Sequence, residues 1–380
     1  MDVPRKILYI DTALRIWGGQ RSLYELISNL DRDRYVPTVA VPEGSQTSNL
    51  CGELAEIYTF PAHSAVEGRP TKPLPAFRSI ISISRLIREI KPDVIHANTF
   101  LAALLVSLIP FLDVPWILHQ RDFKDHGILS RWAGRRATRI IAVTNKTAVH
   151  LGKRRFKNPP LIVPDGVSLS FTDELTRPGY KPILREKYGI KKNDILVGTV
   201  GTISELKSQR EILDAADRLR DVPGIYFICV GEPYRDEDYP YFDGLKKKRA
   251  ELGLERRVFF EGFTDDLASI YGSIDILAHP AEREGLGRVI LEAMGAGVPV
   301  LAKDCYGPAE IITSGVDGVL SDPNDFEDFV SKLKVLVEDE DYRKRLANSG
   351  KKKVADVFTV ERTANRIQEI YDELLEVHNT

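Results

Sequence analysis

The sequence is poor in cysteine and contains no apolar run long enough to cross a membrane. Its 380 residues include three scattered cysteines, which are Cys51, Cys229 and Cys305. An odd number without metal-binding spacing argues against disulfides and against a zinc site, and it indicates a reducing compartment. The longest apolar run, residues 101–112, is too short to span a bilayer. No signal-peptide pattern precedes the first predicted strand, so we expect a cytoplasmic protein.

The glycine motif of dinucleotide-binding enzymes is also absent. That motif, Gly-x-Gly-x-x-Gly, follows the first strand of a parallel unit and opens a helix. Neither residues 11–19 nor residues 198–204, which follow predicted strands, contain it. The sequence therefore argues against a dinucleotide-dependent oxidoreductase.

Length and composition predict two globular domains. A chain of 380 residues exceeds what a single core usually holds, and 43% hydrophobic with 28% charged residues is ordinary for a globular protein. The net charge of −2 conceals an uneven distribution. Residues 1–180 contain 24 Lys and Arg against 17 Asp and Glu, whereas the remainder contains 29 against 38.

Much of the positive excess in the first half lies in two clusters of basic residues. They are Arg131, Arg135, Arg136 and Arg139, and then Lys153, Arg154, Arg155 and Lys157. A solvated helix face explains such clusters. The alternative is a surface that faces an anionic acceptor, such as a lipid phosphate or a membrane.

A strand, a loop, a helix and a second strand follow one another closely between residues 274 and 302. Apolar runs predict strands at 274–278 and 298–302, with a helix at about 288–296 between them. Such a unit forms parallel sheet, whose ligands bind at the carboxyl ends of strands, beside helix N-termini. Gly285 and Gly287 allow the backbone to approach a ligand, and the helix start after them favours an anion such as a diphosphate.

The same stretch carries two glutamates, one in the loop and one about a turn inside the helix. Glu284 and Glu292 are too far apart to share a proton, but each carboxylate can accept hydrogen bonds from vicinal hydroxyls. A ligand that needs an anion site and two diol sites is a nucleotide-sugar. If only this pair of glutamates is considered, the alternative to a binding site is an amphipathic helix with two carboxylates on its surface.

The residues from Glu284 to Met294 resemble the Glu-x7-Glu signature of the retaining, nucleotide-sugar-dependent glycosyltransferases of family four. The Gly-Leu-Gly, Glu-Ala-Met and Gly-Val-Pro-Val runs extend the resemblance. It implies an α/β GT-B fold with two Rossmann-like domains facing a central cleft. In the family the first glutamate contacts the donor sugar and the second contacts the ribose. The donor-binding residues that the resemblance implies here are Glu284, Gly285, Leu286, Gly287, Arg288 and Glu292.

Two further segments match phosphate-binding parts of the family. Gly18 and Gly19 precede a helix predicted at 20–30; alone they indicate a simple turn, but they resemble the family's glycine loop against the donor diphosphate. Lys207, at a predicted helix start, is placed to meet phosphate oxygens and matches the family's diphosphate lysine. One departure is Thr202, where the family often has an arginine. The nearest cations that could replace it are Arg210 and Arg288.

Two histidines end predicted strands in the first half. His119 ends the strand 116–119, and the family commonly carries a histidine there, near the transferred sugar. The resemblance therefore implies a catalytic role for His119, with Glu284 and Lys207, and Asp122 is a less certain partner. His96 is equally explained by packing against a neighbouring loop.

The resemblance also implies how the chain is divided. It predicts an acceptor-side domain over residues 1–172, a nucleotide-sugar-binding domain over 183–359, and a C-terminal helix at about 360–380 that crosses back to the first domain. The stretch 171–181 is the predicted linker.

The implied reaction is the retaining transfer of a sugar from a nucleotide-diphosphate sugar to an acceptor hydroxyl, in polysaccharide, lipopolysaccharide or glycolipid synthesis. We expect a glycan or lipid-linked acceptor, contact with the inner face of the membrane, and no nucleic acid. We expect no cofactor and no metal, because no Asp-x-Asp motif of metal-using transferases ends a predicted strand. The alternatives are a nucleotide-sugar epimerase and a non-catalytic nucleotide-sugar-binding protein.

Overall fold

The computed structural model describes residues 3–61, 73–123, 128–152, 159–175, 177 and 179–379. Contacts divide the chain into two units, one of residues 1–166 with 360–380 and one of residues 167–359.

The change of unit falls between Gly166 and Val167, so the predicted linker lies within the second unit. Its aromatic side chains anchor it there. The Tyr180 hydroxyl donates to the Ala268 carbonyl at 2.7 Å, and the Phe171 ring centre lies 5.8 Å from that of Tyr271. These long-range contacts explain why proline and glycine content alone placed the boundary later.

Thirteen strands are formed by the described residues. They are β1 (Arg5–Ile10), β2 (Tyr35–Pro42), β3 (Glu56–Phe60), β4 (Val94–Ala97), β5 (Trp116–Gln120), β6 (Arg139–Ala142), β7 (Leu161–Ile162), β8 (Ile195–Val200), β9 (Ile225–Val230), β10 (Val258–Glu261), β11 (Ile276–His279), β12 (Val300–Lys303) and β13 (Val319–Ser321).

Helices connect most of these strands. They are α1 (Gly18–Ser28), α2 (Gln46–Cys51), α3 (Pro73–Ile90), α4 (Phe100–Ser107), α5 (Ile128–Arg136), α6 (Asn145–Gly152), α7 (Thr172–Leu175), α8 (Ile183–Tyr188), α9 (Gln209–Arg218), α10 (Tyr239–Glu251), α11 (Leu267–Tyr271), α12 (Arg288–Ala296), α13 (Pro308–Ile311), α14 (Phe326–Glu338), α15 (Glu340–Val357) and α16 (Val360–Asn379). Single 3₁₀ turns occur at Glu205–Lys207 and Asp236–Asp238. None of the described helices is long and apolar enough to cross a membrane.

The first unit is a seven-stranded parallel sheet in the order β3-β2-β1-β4-β5-β6-β7. Successive residues of a strand point to opposite faces, so β1 supplies two separate cores. Ile7 and Tyr9 pack with α1 and α16 on one face, whereas Leu8 and Ile10 pack with α3 and α4 on the other. A sheet buried on both faces explains why its strands are continuous apolar runs.

The second unit is a six-stranded sheet in the order β10-β9-β8-β11-β12-β13, and all its pairs are parallel. Its core includes Phe227 on β9, Ile212 on α9 and Phe329 on α14. In both sheets the order reverses once, between β1 and β4 and between β8 and β11. Ligands of open α/β sheets bind at such reversals.

Candidate functional site

Two loops border the point where the strand order of the second unit reverses. Residues 201–208 follow β8 and residues 280–287 follow β11. A hydrogen bond of 3.3 Å from the Glu282 N–H to the Leu206 carbonyl joins them. Because both loops leave the carboxyl ends of neighbouring strands, their side chains meet at one edge of the sheet.

Glu284 lies at the centre of this edge, between two groups that can carry positive charge. The Lys207 ammonium group donates to Glu284 Oε2. His279, the last residue of β11, places its Nε2 at 3.4 Å from the same oxygen and is itself 2% exposed. The sequence predicted Lys207 and Glu284 as site residues, but it predicted neither their ion pair nor the contact with His279. The available signal for His279 was its position at the end of a strand, just before the Glu-x7-Glu motif.

These neighbours determine the charge of the glutamate. Burial alone would raise the pKa of the Glu284 carboxyl, but Lys207 and His279 outweigh it and hold that pKa well below its ordinary value. The carboxylate is therefore ionised at neutral pH. It can accept hydrogen bonds but has no proton to donate.

Two glycines fix the backbone around Glu284. Gly287 has a φ of +96°, and a Cβ there would lie 3.0 Å from the Ile290 side chain. Gly307, from the loop after β12, donates its N–H to the Glu284 carbonyl at 3.0 Å. A Cβ on Gly307 would lie 2.6 Å from the carbonyl oxygen of Leu286. The two loops approach more closely than a side chain would permit.

The helix α12 begins directly after this loop and carries the second glutamate. Leu286 is buried and anchors the loop, whose Gly285 carbonyl also faces Gly307. Glu292 is buried; its Oε2 accepts a hydrogen bond of 2.9 Å from the Tyr271 hydroxyl, and its Oε1 lies 3.5 Å from Arg288 Nη2. A buried carboxylate with an adjacent cation is a strong acceptor for hydroxyl groups.

Lys207 ends the 3₁₀ turn Glu205–Lys207, and α9 starts two residues later. Lys207 therefore lies in a separate turn before the helix and not at the helix start that the sequence predicted. Ser208, with a φ of +55°, separates this turn from α9. Of the two cations considered as replacements at Thr202, Arg288 lies against Glu292 in the site. Arg210 is exposed.

Gly18 and Gly19 form the first turn of α1, although the sequence predicted them before the helix. Gln20 explains the earlier start. Its side-chain oxygen accepts the Trp17 N–H at 3.2 Å, which caps the helix, and its Nε2 donates to Asp11 Oδ2 at 2.9 Å. These contacts outweigh the low helix propensity of glycine. The N–H groups of this turn lie beside the β1–β4 reversal.

A polar network that the sequence did not predict supports this turn. Asn98, just after β4, donates to Asp11 Oδ2 at 2.5 Å and to the Gly19 carbonyl at 3.3 Å. Arg121, just after β5, donates to Asn98 Oδ1 at 2.6 Å and to Asp165 Oδ2 at 2.7 Å. Asp11, Asn98, Arg121 and Asp165 each come shortly after a strand. That position was the signal in the sequence that could have identified them.

His119 is buried at the end of β5. Its Nδ1 lies 3.0 Å from His96 Nε2, and its Nε2 lies 3.9 Å from Asp165 Oδ1. Burial, followed by the charge of Arg121, lowers the pKa of His119 well below its ordinary value. Asp122, predicted as a less certain partner, instead accepts a hydrogen bond of 2.7 Å from Gln120.

The structure thus groups the predicted residues at two edges. Lys207, Glu284 and Glu292 lie together with Gly285, Leu286, Gly287 and Arg288 in the second unit, and Gly18, Gly19 and His119 lie at the β1 to β5 edge of the first. Their participation in one donor site stays a prediction.

All three cysteines are free thiols. Burial raises the pKa of Cys51 and Cys229 to about 12 and that of Cys305 to about 11. Thiolate chemistry at neutral pH is therefore disfavoured. Within the described ranges, no group of three or more His, Cys, Asp and Glu side chains is arranged to hold a metal ion. Metal independence of the reaction stays a prediction.

Two family models match most of the chain. Residues 16–171 match the model described as Glycosyltransferase Family 4, and residues 181–353 match the model described as Glycosyl transferases group 1. The second match contains Lys207, Glu284 and Glu292.

Similar curated proteins carry related descriptions. UDP-Gal:alpha-D-GlcNAc-diphosphoundecaprenol alpha-1,3-galactosyltransferase of Escherichia coli is 24% identical over 318 residues, which is 78% of this chain and 80% of that protein. The lipopolysaccharide core biosynthesis glycosyltransferase LpsE of Rhizobium meliloti is 31% identical over 166 residues, 44% of this chain and 46% of that protein. The chain therefore spans about half the length of the second relative.

Among solved structures, HepE of Anabaena in complex with UDP and glucose has a similar fold. The TM-score is 0.84 at 23% identity, and the match covers 97% of this chain and 100% of that one. With the two parallel-sheet units, this similarity confirms the predicted GT-B fold. The family matches, together with the Glu-x7-Glu residues at the strand-order reversal, show that the chain belongs to the glycosyltransferases of family four.

Proposed function

We propose that this protein is a retaining glycosyltransferase, which moves a sugar from a nucleotide-diphosphate sugar to an acceptor hydroxyl. The observation that carries the proposal is the group of Lys207, Glu284 and Glu292 around the start of α12. It combines a cation and a helix N-terminus for the diphosphate with two carboxylates for hydroxyl groups.

The nucleotide end of the donor would lie against Glu292. The Tyr271 hydroxyl and Arg288 already orient this carboxylate, and its remaining lone pairs can accept hydrogen bonds from the ribose hydroxyls. Because the carboxylate is buried, such bonds would form in a site of low dielectric constant. They would be stronger there than in water.

The diphosphate would compete with Glu284 for Lys207. In the structure, the ammonium and carboxylate groups form an ion pair and neutralise each other. A phosphate oxygen that takes over the ammonium group frees Glu284 Oε2 to accept hydrogen bonds from the sugar hydroxyls. The pair thus keeps both groups in place until the donor provides better partners for each.

Breaking the bond between the anomeric carbon and the phosphate oxygen leaves negative charge on that oxygen. Lys207 and the start of α12 would stabilise this charge, as preorganised donors do in an oxyanion hole. The acceptor oxygen then bonds to the anomeric carbon from the face that the phosphate leaves. Its proton passes to the departing phosphate, so no protein base is required and the configuration is retained.

The relatives suggest which substrates to test. The Escherichia coli relative is named for a UDP-galactose donor and a diphosphoundecaprenol-linked acceptor, and HepE was crystallised with UDP-glucose. We therefore propose a UDP-sugar as the donor and a lipid-linked glycan as the acceptor. We further propose that no divalent metal takes part, since Lys207 and the helix start supply positive charge.

A surface of the first unit fits a lipid-linked acceptor. Phe111 and Trp132 are 101% and 48% exposed, and Leu108 beside them is 45% exposed. Arg131 and Arg135 on α5 are exposed, and in the described part of the chain neither has an ion-pair partner. Aromatic rings with arginines suit the interface of an anionic membrane. We propose that this surface, the Trp132 surface, holds the enzyme at the cytoplasmic face of a membrane.

The rest of the predicted basic patch contributes less. Arg136 donates to the Ile109 carbonyl and covers the Trp132 ring, and Arg139 pairs with Glu373 at 4.0 Å. The second cluster, residues 153–157, lies outside the described residues.

The proposed reaction is tested by incubating the chain with UDP-glucose or UDP-galactose and lipid-linked glycan acceptors. We expect acceptor-dependent release of UDP and a product whose anomeric configuration, measured by NMR coupling constants, equals that of the donor. Inversion would contradict the retaining mechanism. Conversion of the donor sugar to its epimer in the absence of acceptor would indicate a nucleotide-sugar epimerase instead. Tight binding of a UDP-sugar without turnover would indicate a non-catalytic nucleotide-sugar-binding protein.

A further inference from the structure

His279 carries a buried ring nitrogen that has no hydrogen bond. The side chain lies at the end of β11 and is 2% exposed, and its Nε2 has no hydrogen-bond partner in the described part of the chain. Glu284 Oε2 lies 3.4 Å away, beyond the distance of about 2.9 Å that is usual for a hydrogen bond from N–H to oxygen. A buried polar atom without a partner lowers stability, so this nitrogen calls for a functional explanation.

The oxygen that faces this nitrogen is already bound by another group. The Lys207 ammonium group donates to Glu284 Oε2, so this oxygen has one hydrogen bond and a second possible donor close by. Burial opposes the ionised carboxylate, whereas Lys207 and His279 favour it. Among the described residues, no third group bonds to this carboxylate. When Lys207 leaves, His279 is therefore the partner that remains.

The two partners differ in how freely they can move. Lys207 ends a single 3₁₀ turn and is 26% exposed, and its flexible stem lets the ammonium group reach a new partner while the backbone stays in place. His279 belongs to a strand that lies between β8 and β12, and it is in register with Ala302. A ligand can therefore draw Lys207 away from Glu284, whereas the sheet holds His279 in place.

A donor diphosphate that takes Lys207 would deprive Glu284 of its ammonium partner. The carboxylate is 17% exposed, and a buried carboxylate without a cation or a hydrogen bond is unstable. A neutral imidazole can carry its proton on either nitrogen, and an unpaired carboxylate beside Nε2 favours the form with the N–H there. Closing the gap of 3.4 Å by a few tenths of an ångström then makes a hydrogen bond.

We infer that His279 is a positioning residue, which takes over Glu284 Oε2 when Lys207 moves to the donor phosphate. The N–H of His279 would hold one lone pair of Oε2, so that the other lone pair and Oε1 point to the sugar hydroxyls. The unpaired nitrogen is thus a donor that gains its partner in the complex. The inference rests on the proposed function, in which the diphosphate binds Lys207 and the sugar binds Glu284.

A double-mutant cycle on the protein without ligand tests the exchange of partners. Lys207→Met removes the ammonium group and so mimics its departure. We expect His279→Leu to lower the melting temperature by several degrees more in the Lys207→Met background than in the wild type, where Lys207 still pairs with Glu284. The cycle subtracts any loss of packing. Equal falls in the two backgrounds would overturn the inference, and this result does not depend on the proposed reaction.

His279→Gln is the matched variant. The amide nitrogen of glutamine lies about as far from the backbone as Nε2 of histidine and can donate to a carboxylate, which leucine cannot do. In the Lys207→Met background we therefore expect His279→Gln to keep a higher melting temperature than His279→Leu. Equal melting temperatures would show that only the shape of residue 279 matters and would count against a hydrogen bond.

Binding of UDP and of UDP-glucose, measured by calorimetry, tests the role in the complex. UDP lacks the sugar that Glu284 is proposed to bind, so we expect His279→Leu to weaken UDP-glucose about tenfold and UDP only slightly. In a Glu284→Gln background it should cause no such selective loss. Equal weakening of both ligands would overturn the positioning role. Binding of neither ligand by the wild type would contradict the proposed function, and with it the role of His279 in the complex.

Discussion

Glu284 is the residue in which charge, burial and geometry act together most clearly. Its carboxylate touches Lys207 and lies 3.4 Å from His279, and a glycine holds its backbone from the other side. In the proposed mechanism the ionised carboxylate accepts hydrogen bonds from the sugar, and Oε2 becomes available when a phosphate oxygen takes over Lys207. The proposed role therefore couples donor binding to the ion pair of Glu284 with Lys207.

Replacing this carboxylate by an amide tests its role. Glu284→Gln keeps the shape but removes the charge that accepts the sugar hydroxyls. Hydrogen bonds to charged groups are worth about 1.5–3 kcal/mol, so we expect kcat/KM to fall about 10- to 150-fold. Glu282→Gln in the same loop, where the side chain is exposed, is the control and should retain nearly full activity. Similar losses in both variants would contradict a specific role.

The lowered pKa of Glu284 predicts the acid side of the pH profile. Because its folded pKa lies below the ordinary value near 4.3, the residue stabilises the fold above that value and loses this contribution as pH falls through the folded pKa. Between pH 8 and pH 5 we expect no loss of kcat/KM from its protonation, and the stability difference from Glu284→Gln should shrink only below about pH 4. An acid limb that is present in the wild type but absent in Glu284→Gln would contradict this.

At the scale of elements, the site depends on how closely two loops approach. The loop after β12 reaches the loop after β11 through Gly307, where any Cβ would lie 2.6 Å from the Leu286 carbonyl oxygen. The loop after β12 thus sets the position of the loop after β11. Together the two loops set where α12 begins.

Gly307→Ala should separate these loops. Overpacking of this kind typically costs about 1–3 kcal/mol, and we expect both a lower melting temperature and weaker UDP-sugar binding. Gly244→Ala in α10 is the control, because no atom lies within 4 Å of a Cβ there. It should leave donor binding unchanged and should not lower the melting temperature, since alanine favours a helix interior more than glycine does. Unchanged donor affinity in Gly307→Ala, measured by calorimetry, would show that the loop position does not matter for binding.

Elements with strong local signals were predicted well. The helix predicted at 288–296 has these bounds in the structure, because a glycine precedes it and another follows it. The start of α1 was predicted two residues late, since the cap made by Gln20 was not visible in the pattern. The strand β3 and the helix α2 have no strong signal in the sequence, because both are short and half-buried.

At the scale of the whole molecule, the two units repeat one arrangement. Each is a parallel sheet whose order reverses once, and in each the polar side chains collect beside the reversal. The family motif singled out Glu284 and Glu292 from sequence alone, and the structure places both beside the reversal of the second unit, while their binding roles stay predictions. The contacts of His279, Asp165 and Tyr371 could not be predicted, because each joins residues on strands or helices that the fold alone brings together.

The Trp132 surface should bind anionic membranes. We expect Trp132→Ala and the double variant Arg131→Glu with Arg135→Glu each to weaken binding to phosphatidylglycerol vesicles, and salt should weaken the wild-type binding as screening increases. Lys192→Glu, an exposed charge reversal in the second unit, is the control. Sedimentation of the variants with vesicles as complete as that of the wild type would contradict the proposed membrane contact.

The proposed function depends most directly on the binding of a nucleotide-sugar through Glu292 and without metal. The decisive measurement is a thermal-unfolding screen with UDP-, GDP-, ADP- and TDP-sugars, with magnesium and with a chelator, on the wild type and on Glu292→Ala. At 100 times the dissociation constant a ligand adds about 2.7 kcal/mol, so we expect a clear rise in melting temperature with one nucleotide-sugar, unchanged by the chelator and lost in Glu292→Ala. A melting temperature that no nucleotide-sugar raises would contradict the proposed function.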